Sequence, residues 1–170
     1  MEVANRLLGN GAEAPVLELL LQGAQLVMLQ DVWIAITGAD ADCTVEPWRA
    51  VRLLKGDMIH FQRNRYGVWS YIAVEGGFEC PRLLGSASVY ARGKLGQPCA
   101  KGSVLERAQG DPFKLQPGVA GRFAPPQERR LYDSPLTLKL WRGPQWESFG
   151  ESERDSFFSQ QWTITPQSDR

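Results

Sequence analysis

The chain has 170 residues, enough for one compact domain or two small ones. Its 19 Lys and Arg balance 19 Asp and Glu, so the formal net charge is zero. This argues against the clustered basic excess of a nucleic-acid footprint and gives no reason for docking on an anionic membrane.

In chain order, the first residues predict a short helix. Val3, Leu7 and Leu8 fall at helical spacing, and Gly9-Asn10-Gly11 stops the pattern. The opening lacks a basic stretch followed by an apolar one, so no signal peptide is expected. Apolar runs with strand character follow at residues 16–21, 25–29, 32–37, 49–54, 58–63 and 69–74, each bounded by Gly, Asp, Asn or Pro. Short strands at such regular intervals predict an antiparallel barrel or sandwich. In the fifth run Met58, His60 and Gln62 share one face, while Ile59, Phe61 and Arg63 form the more apolar face. Residues 85–102 are rich in Gly, Ser, Lys and Arg with little periodicity. Residues 106–134 are polar and Pro-rich. Residues 136–141 predict a further strand, 148–161 a helix with Ser148 or Ser152 as N-cap, and 162–165 a last strand. The expected organisation is therefore a β-barrel region over 1–105, an irregular loop or linker over 106–134, and a strand-helix-strand segment over 135–170.

Common chemical motifs are absent. The sequence contains neither G-x-x-x-x-G-K-[ST] nor G-x-G-x-x-G, and no G-x-S-x-G elbow. His60 is the sole histidine, and its setting among Met58, Ile59 and Phe61 favours a structural role. Cys43, Cys80 and Cys99 form neither a disulfide framework nor a zinc spacing, so reduced thiols and no metal are expected. Gly76-Gly77 predicts a tight turn. Asp40 and Asp42 follow the third run in Thr37-Gly38-Ala39-Asp40; this is either a functional loop at a strand end or a turn that uses Gly38. Trp48, Trp69, Trp141, Trp146 and Trp162 are expected to pack.

Several segments resemble, in order, one bacterial family. They are Ala4-Asn5-Arg6-Leu7-Leu8-Gly9-Asn10, Leu17-Glu18-Leu19 leading to Gly23, and Thr37-Gly38-Ala39-Asp40. Tyr71-Ile72-Ala73-Val74-Glu75-Gly76-Gly77-Phe78 follows, continued by Pro81-Arg82-Leu83-Leu84-Gly85-Ser86-Ala87-Ser88. Gly143-Pro144-Gln145-Trp146 and Gln167-Ser168-Asp169-Arg170 complete the set. The chain resembles the biotin-dependent carboxyltransferase-like proteins, or allophanate hydrolase subunit 2. That group includes the C subunit of prokaryotic 5-oxoprolinase, the KipA regulators and the carboxyltransferase portion of urea carboxylase. One departure lies at residues 93–103, which are shorter than the family pattern and carry Ser103 where Asp is usual.

The resemblance implies a mainly β, cyclophilin-like antiparallel barrel with one or two short helices, and a length of about half a family member, shortened at both ends. It implies a subunit of an ATP-dependent 5-oxoprolinase-type complex acting on a small amide or lactam, inactive alone and cytoplasmic. The alternatives are the carboxyltransferase domain of a urea carboxylase system and a KipA-like regulatory binding protein. The partner implied is a companion subunit resembling allophanate hydrolase subunit 1. ATP, or carboxybiotin in the alternative, is used by the complex, with no cofactor held by this chain. Asp40, Asp169 and Arg170 are the implied catalytic residues, and Ser86, Ser88, Tyr90, Arg92, Gln167 and Ser168 the implied substrate-binding residues. Arg92 and Arg170 would grip a carboxylate, while Asp40 or Asp169 would orient an amide or move a proton.

Overall fold

The computed structural model describes residues 1–20, 23–110, 112–129 and 137–163, with backbone alone at Arg63 and Asn64. The chain divides into two compact units, Met1–Pro135 and Leu136–Arg170.

The first unit opens with helix α1 (Glu2–Leu7). Five antiparallel strands follow: β1 (Leu17–Leu20), β2 (Gln25–Val27), β3 (Val32–Cys43), β4 (Ala50–Leu53) and β5 (Met58–Val74). The sheet order is β1-β5-β3-β4, and β2 pairs with the first part of β5 on the side that β1 occupies further along. The result is a mainly β fold, a curled half-barrel with few helices. No helix among the described residues is long and apolar enough to cross a membrane.

Curling comes from an uneven match between the two long strands. Between the pairs Gly38↔Ser70 and Cys43↔Phe61, β3 advances five residues while β5 advances nine. The surplus bulges out of β5, bends the sheet and reverses side-chain parity. On β3 the inward set changes from Val32, Ile34 and Ile36 to Ala41 and Cys43; on β5 it changes from Ile59 and Phe61 to Ile72 and Val74. These residues, with Leu53 and Val45, fill the concave side, where each buried Ile or Phe contributes roughly 1.5–3 kcal/mol.

Two expectations change here. The runs at 58–63 and 69–74 are one strand, because Asn64 and Gly67 sit inside the bulge instead of ending the ladder. Asp40 does not lie in a loop after residue 37: β3 continues through it to Cys43, and Asp40 is exposed opposite Tyr66. Gly38 does adopt a positive φ of +107°, but within a strand. The Ile59/Phe61 face is buried as the alternation predicts, while Met58 is exposed.

The convex side carries a row of three alanines. Ala35 of β3 pairs with Ala50 of β4 on one side and Ala73 of β5 on the other. Such small side chains let α1 lie close, and Ala4, Leu7 and Leu8 bury against them. A six-residue helix is marginal alone, so this packing is what holds it. Gly9, at φ +71°, takes the left-handed position that closes the helix.

Residues 112–129 strap this face to the sheet. Ala50 N–H donates to Arg122 O (2.8 Å) and Ala124 N–H to Trp48 O (2.7 Å), which extends the sheet past β4. Arg6 pairs with Glu128, and Phe113 meets Trp33 edge-on at 5.2 Å.

In the second unit, α2 spans Glu151–Ser159. Its N-cap is Gly150, not Ser148 or Ser152; the Glu153 carboxylate accepts the Gly150 N–H at 2.7 Å. Residues 137–141 form no strand, and Trp162 and Thr163 form none; Leu136, Ile164 and Thr165 lie outside the described residues. Leu138 and Leu140 are exposed, so their alternation has no sheet to face. Trp141 is 95% exposed, which overturns a packing role for it within the described residues. Trp162, though 65% exposed, lies with its ring centroid 5.5 Å from that of Phe157 and donates from Nε1 to Phe157 O at 2.8 Å. Trp146 does pack, with the Arg142 and Arg154 guanidinium carbons each 5.5 Å from its ring centroid.

Candidate functional site

Two of the segments that carry the resemblance, residues 4–10 and 71–78, meet at one junction. Asn5, a buried residue of α1, donates from Nδ2 to Ala14 O at 2.8 Å. Asn10 donates from Nδ2 to Asn5 Oδ1 (3.1 Å) and Val74 O (2.8 Å), and its Oδ1 accepts the Gly76 N–H (2.8 Å). The end of α1 is thus tied to the end of β5, 64 residues away in sequence. The Gly76-Gly77 turn forms as predicted, with φ of +78° and +83° and Gly77 N–H donating to Val74 O.

Glu75 is the second anchor. Only 5% exposed, its Oε1 accepts the Trp33 N–H (3.2 Å) and its Oε2 the Phe113 N–H (2.6 Å). Arg107 Nη1 lies 3.8 Å from Oε2, giving the buried carboxylate a counter-charge. A carboxylate directly after the buried run Ile72-Ala73-Val74 was the sequence signal for this anchor. The residues of the junction were visible in the motif, but not as hydrogen-bond partners.

Beyond the turn the surface opens into a cleft of about 450 Å³, walled by the 11–15 loop on one side and by Phe78, Glu79, Cys80 and Arg82 on the other. Glu13, Glu79 and Arg82 give it both signs of charge. It can accept a small polar molecule, with Arg82 as carboxylate receptor.

The expected site residues fall in different places. Ser86, Ser88, Tyr90 and Arg92 share one exposed excursion after the cleft. Ser86 Oγ accepts the Ser88 N–H (3.1 Å), and Tyr90 exchanges backbone hydrogen bonds with Leu95 (2.9 and 3.1 Å). At the departure from the family pattern, Ser103 Oγ accepts the Ala100 N–H (3.0 Å). Asp40 stands on β3 at the bulge. Gln167, Ser168, Asp169 and Arg170 lie outside the described residues. Among the described residues, no three His, Cys, Asp or Glu side chains are grouped to hold a metal ion.

The thiols differ in environment. Cys43 packs on the concave core, and burial pushes its thiol above the ordinary value, partly offset by backbone hydrogen bonds at Val45 and Thr44. A raised value means less thiolate at any pH below it. Cys99 is exposed. Alkylation by iodoacetamide at pH 8, followed by peptide mass spectrometry, is expected to label Cys99 first and Cys43 last; equal rates would contradict the placement of Cys43.

Comparison with known proteins bears on the whole chain. Residues 1–170 match the family described as carboxyltransferase domain, subdomain A and B. The chain is 29% identical to the 5-oxoprolinase C subunit of Escherichia coli (strain K12) over 178 residues, covering 100% of this chain and 55% of that protein. It is also 29% identical to the urea amidolyase of Lachancea kluyveri over 188 residues, covering 99% of this chain and 10% of that one. Among solved structures, the crystal structure of TTHA0988 superposes with a TM-score of 0.72 at 36% identity, covering 85% of this chain and 54% of that one. The chain thus spans about half the length of the Escherichia coli relative it matches.

Proposed function

The chain belongs to the carboxyltransferase domain, subdomain A and B, family, and on that footing we propose that it works as one part of an ATP-dependent 5-oxoprolinase-type complex, opening a small lactam to its amino acid beside a companion subunit resembling allophanate hydrolase subunit 1. The observation that supports this reading most is the likeness to the 5-oxoprolinase C subunit along the full length of the chain. In this reading the curled sheet is one cyclophilin-like barrel half in a cytoplasmic protein.

The site residues take the following roles. Arg92 and Arg170 hold the substrate carboxylate, where a planar guanidinium can bond both oxygens. Asp40 and Asp169 orient the amide or move its proton. Ser86, Ser88, Tyr90, Gln167 and Ser168 donate to oxygens on which charge develops. The companion holds the nucleotide. The donor set of this chain suits carboxylate and amide groups.

A second reading is favoured by the equal identity to a urea amidolyase. There the chain would help move a carboxyl group from carboxybiotin to urea. The two readings separate in one assay, in which chain and companion are mixed with ATP and either 5-oxoproline or urea. ADP release stimulated by 5-oxoproline alone supports the first. Stimulation by urea that requires a biotinylated carrier supports the second. The isolated chain is expected to turn over neither substrate.

A further inference from the structure

Residues 81–105 differ from the rest of the chain in charge and exposure. They carry Arg82, Arg92, Lys94 and Lys101 and no acidic residue, leaving 15 basic against 19 acidic residues elsewhere, a balance of −4. All but Ala87 are exposed, including Leu83, Leu84, Val89, Tyr90, Leu95 and Val104. The excursion is nonetheless braced. Leu83 and Ser86 exchange both backbone hydrogen bonds (2.8 and 2.9 Å), and Arg82 Nη1 donates to Gly85 O at 3.1 Å.

Leu84 and Gly85 therefore form a two-residue hairpin loop, with φ of +50° and +80°. That geometry favours Asn-Gly or Asp-Gly, because both central residues are left-handed. Leucine at the first position is strained, and its side chain is 96% exposed. Among the described residues that side chain is left almost wholly uncovered. Strained positions of this kind cluster at functional places, among them active sites and ligand clamps. The knob, its aliphatic neighbours and the one-sign charge fit a complementary protein surface.

We propose that this excursion is where the companion subunit docks, with Leu84 seated in an apolar socket and Lys94 and Lys101 facing an acidic rim. This rests on the reading of the chain as part of a multi-subunit complex. A substrate carboxylate held at Arg92 would still leave Leu83, Leu84 and Val104 in water, and a protein surface is what covers them. One leucine on a tight turn buries too little to hold a bilayer, for which even a full acyl chain is marginal.

The test is binding of the purified companion subunit of the allophanate hydrolase subunit 1 type from the same genome, measured by interferometry. The chain is compared with Leu84→Asn and with a Lys94→Glu/Lys101→Glu double variant. Leu84→Asn is expected to weaken binding by about tenfold or more, as an anchor residue does. Its unfolding midpoint should hold or rise, since Asn-Gly suits the turn. The double variant is expected to slow association about tenfold and to flatten its salt dependence. If the unaltered pair binds and all variants match it within about twofold, the docking surface is overturned while the companion reading stands. No binding by the unaltered pair removes both. Leu84-dependent self-association, or Leu84-dependent capture by vesicles of mixed neutral and anionic phospholipid, in place of companion binding, also overturns the proposal.

Discussion

Gly38→Ala is expected to destabilise the domain by about 3 kcal/mol or more, a large fraction of the stability of a typical domain. A Cβ at this position would lie 2.3 Å from Trp69 O and 3.0 Å from Ser70 Cα, both backbone atoms of the neighbouring strand. Neither can rotate away as a side chain would. The backbone is also at φ +107°, which L side chains rarely adopt. Among the described residues, the buried hydroxyls of Thr37 and Ser70 beside it have no hydrogen-bond partner, so the site has little capacity to absorb further distortion. Gly56→Ala is the control: its φ is +95°, but nothing lies within 4 Å of the new methyl, so only conformational strain of about 1 kcal/mol is expected. Urea unfolding midpoints of the two variants measure the difference. Equal, small losses would show that β5 does not press on β3 at the bulge.

Glu75→Ala carries the second large effect. It strips the acceptor from two backbone N–H groups, at Trp33 and Phe113, and the counter-charge from Arg107. Breaking a buried charged pair in this way costs about 3–5 kcal/mol. Glu75→Gln keeps one acceptor oxygen and should cost about 1–3 kcal/mol. The lost contacts hold the strap, so trypsin should cleave at the exposed Lys114, next to Phe113, much faster in Glu75→Ala. Unchanged cleavage at Lys114 with an unchanged unfolding midpoint would mean that Glu75 does not anchor the strap.

Much of the fold was legible because it is local. The alternation at Ile59 and Phe61 gave the buried face of the first part of β5, and Gly9 gave the end of α1. What escaped depends on register. Gly38, Asn64 and Gly67 have the chemistry of strand ends, yet here they belong to a bulge whose surplus becomes visible only when β3 and β5 are paired. Ala35, Ala50 and Ala73 look unremarkable in three separate strands, and only pairing sets them in the row that receives α1. The site follows the same rule. Asn5, Asn10 and Glu75 lie in recognisable motifs, but their partners at Ala14, Val74 and Phe113 are distant in sequence. The strain at Leu84 is a backbone angle, which composition does not encode.

The pattern also bears on function. The matched motifs at residues 4–10 and 71–78 join α1, the Gly76-Gly77 turn and the strap, while Ser86, Ser88, Tyr90 and Arg92 of the excursion are exposed. A chain built so suits a part that completes its site with a partner. The most direct measurement is glutamate formed from 5-oxoproline in a mixture of the companion subunits and ATP, with this chain added, omitted, or replaced by Asp40→Asn. Glutamate is expected with the chain, none when it is omitted, and a fall of about a hundredfold or more with Asp40→Asn. Glutamate at the full rate without the chain would contradict a role for it in the reaction.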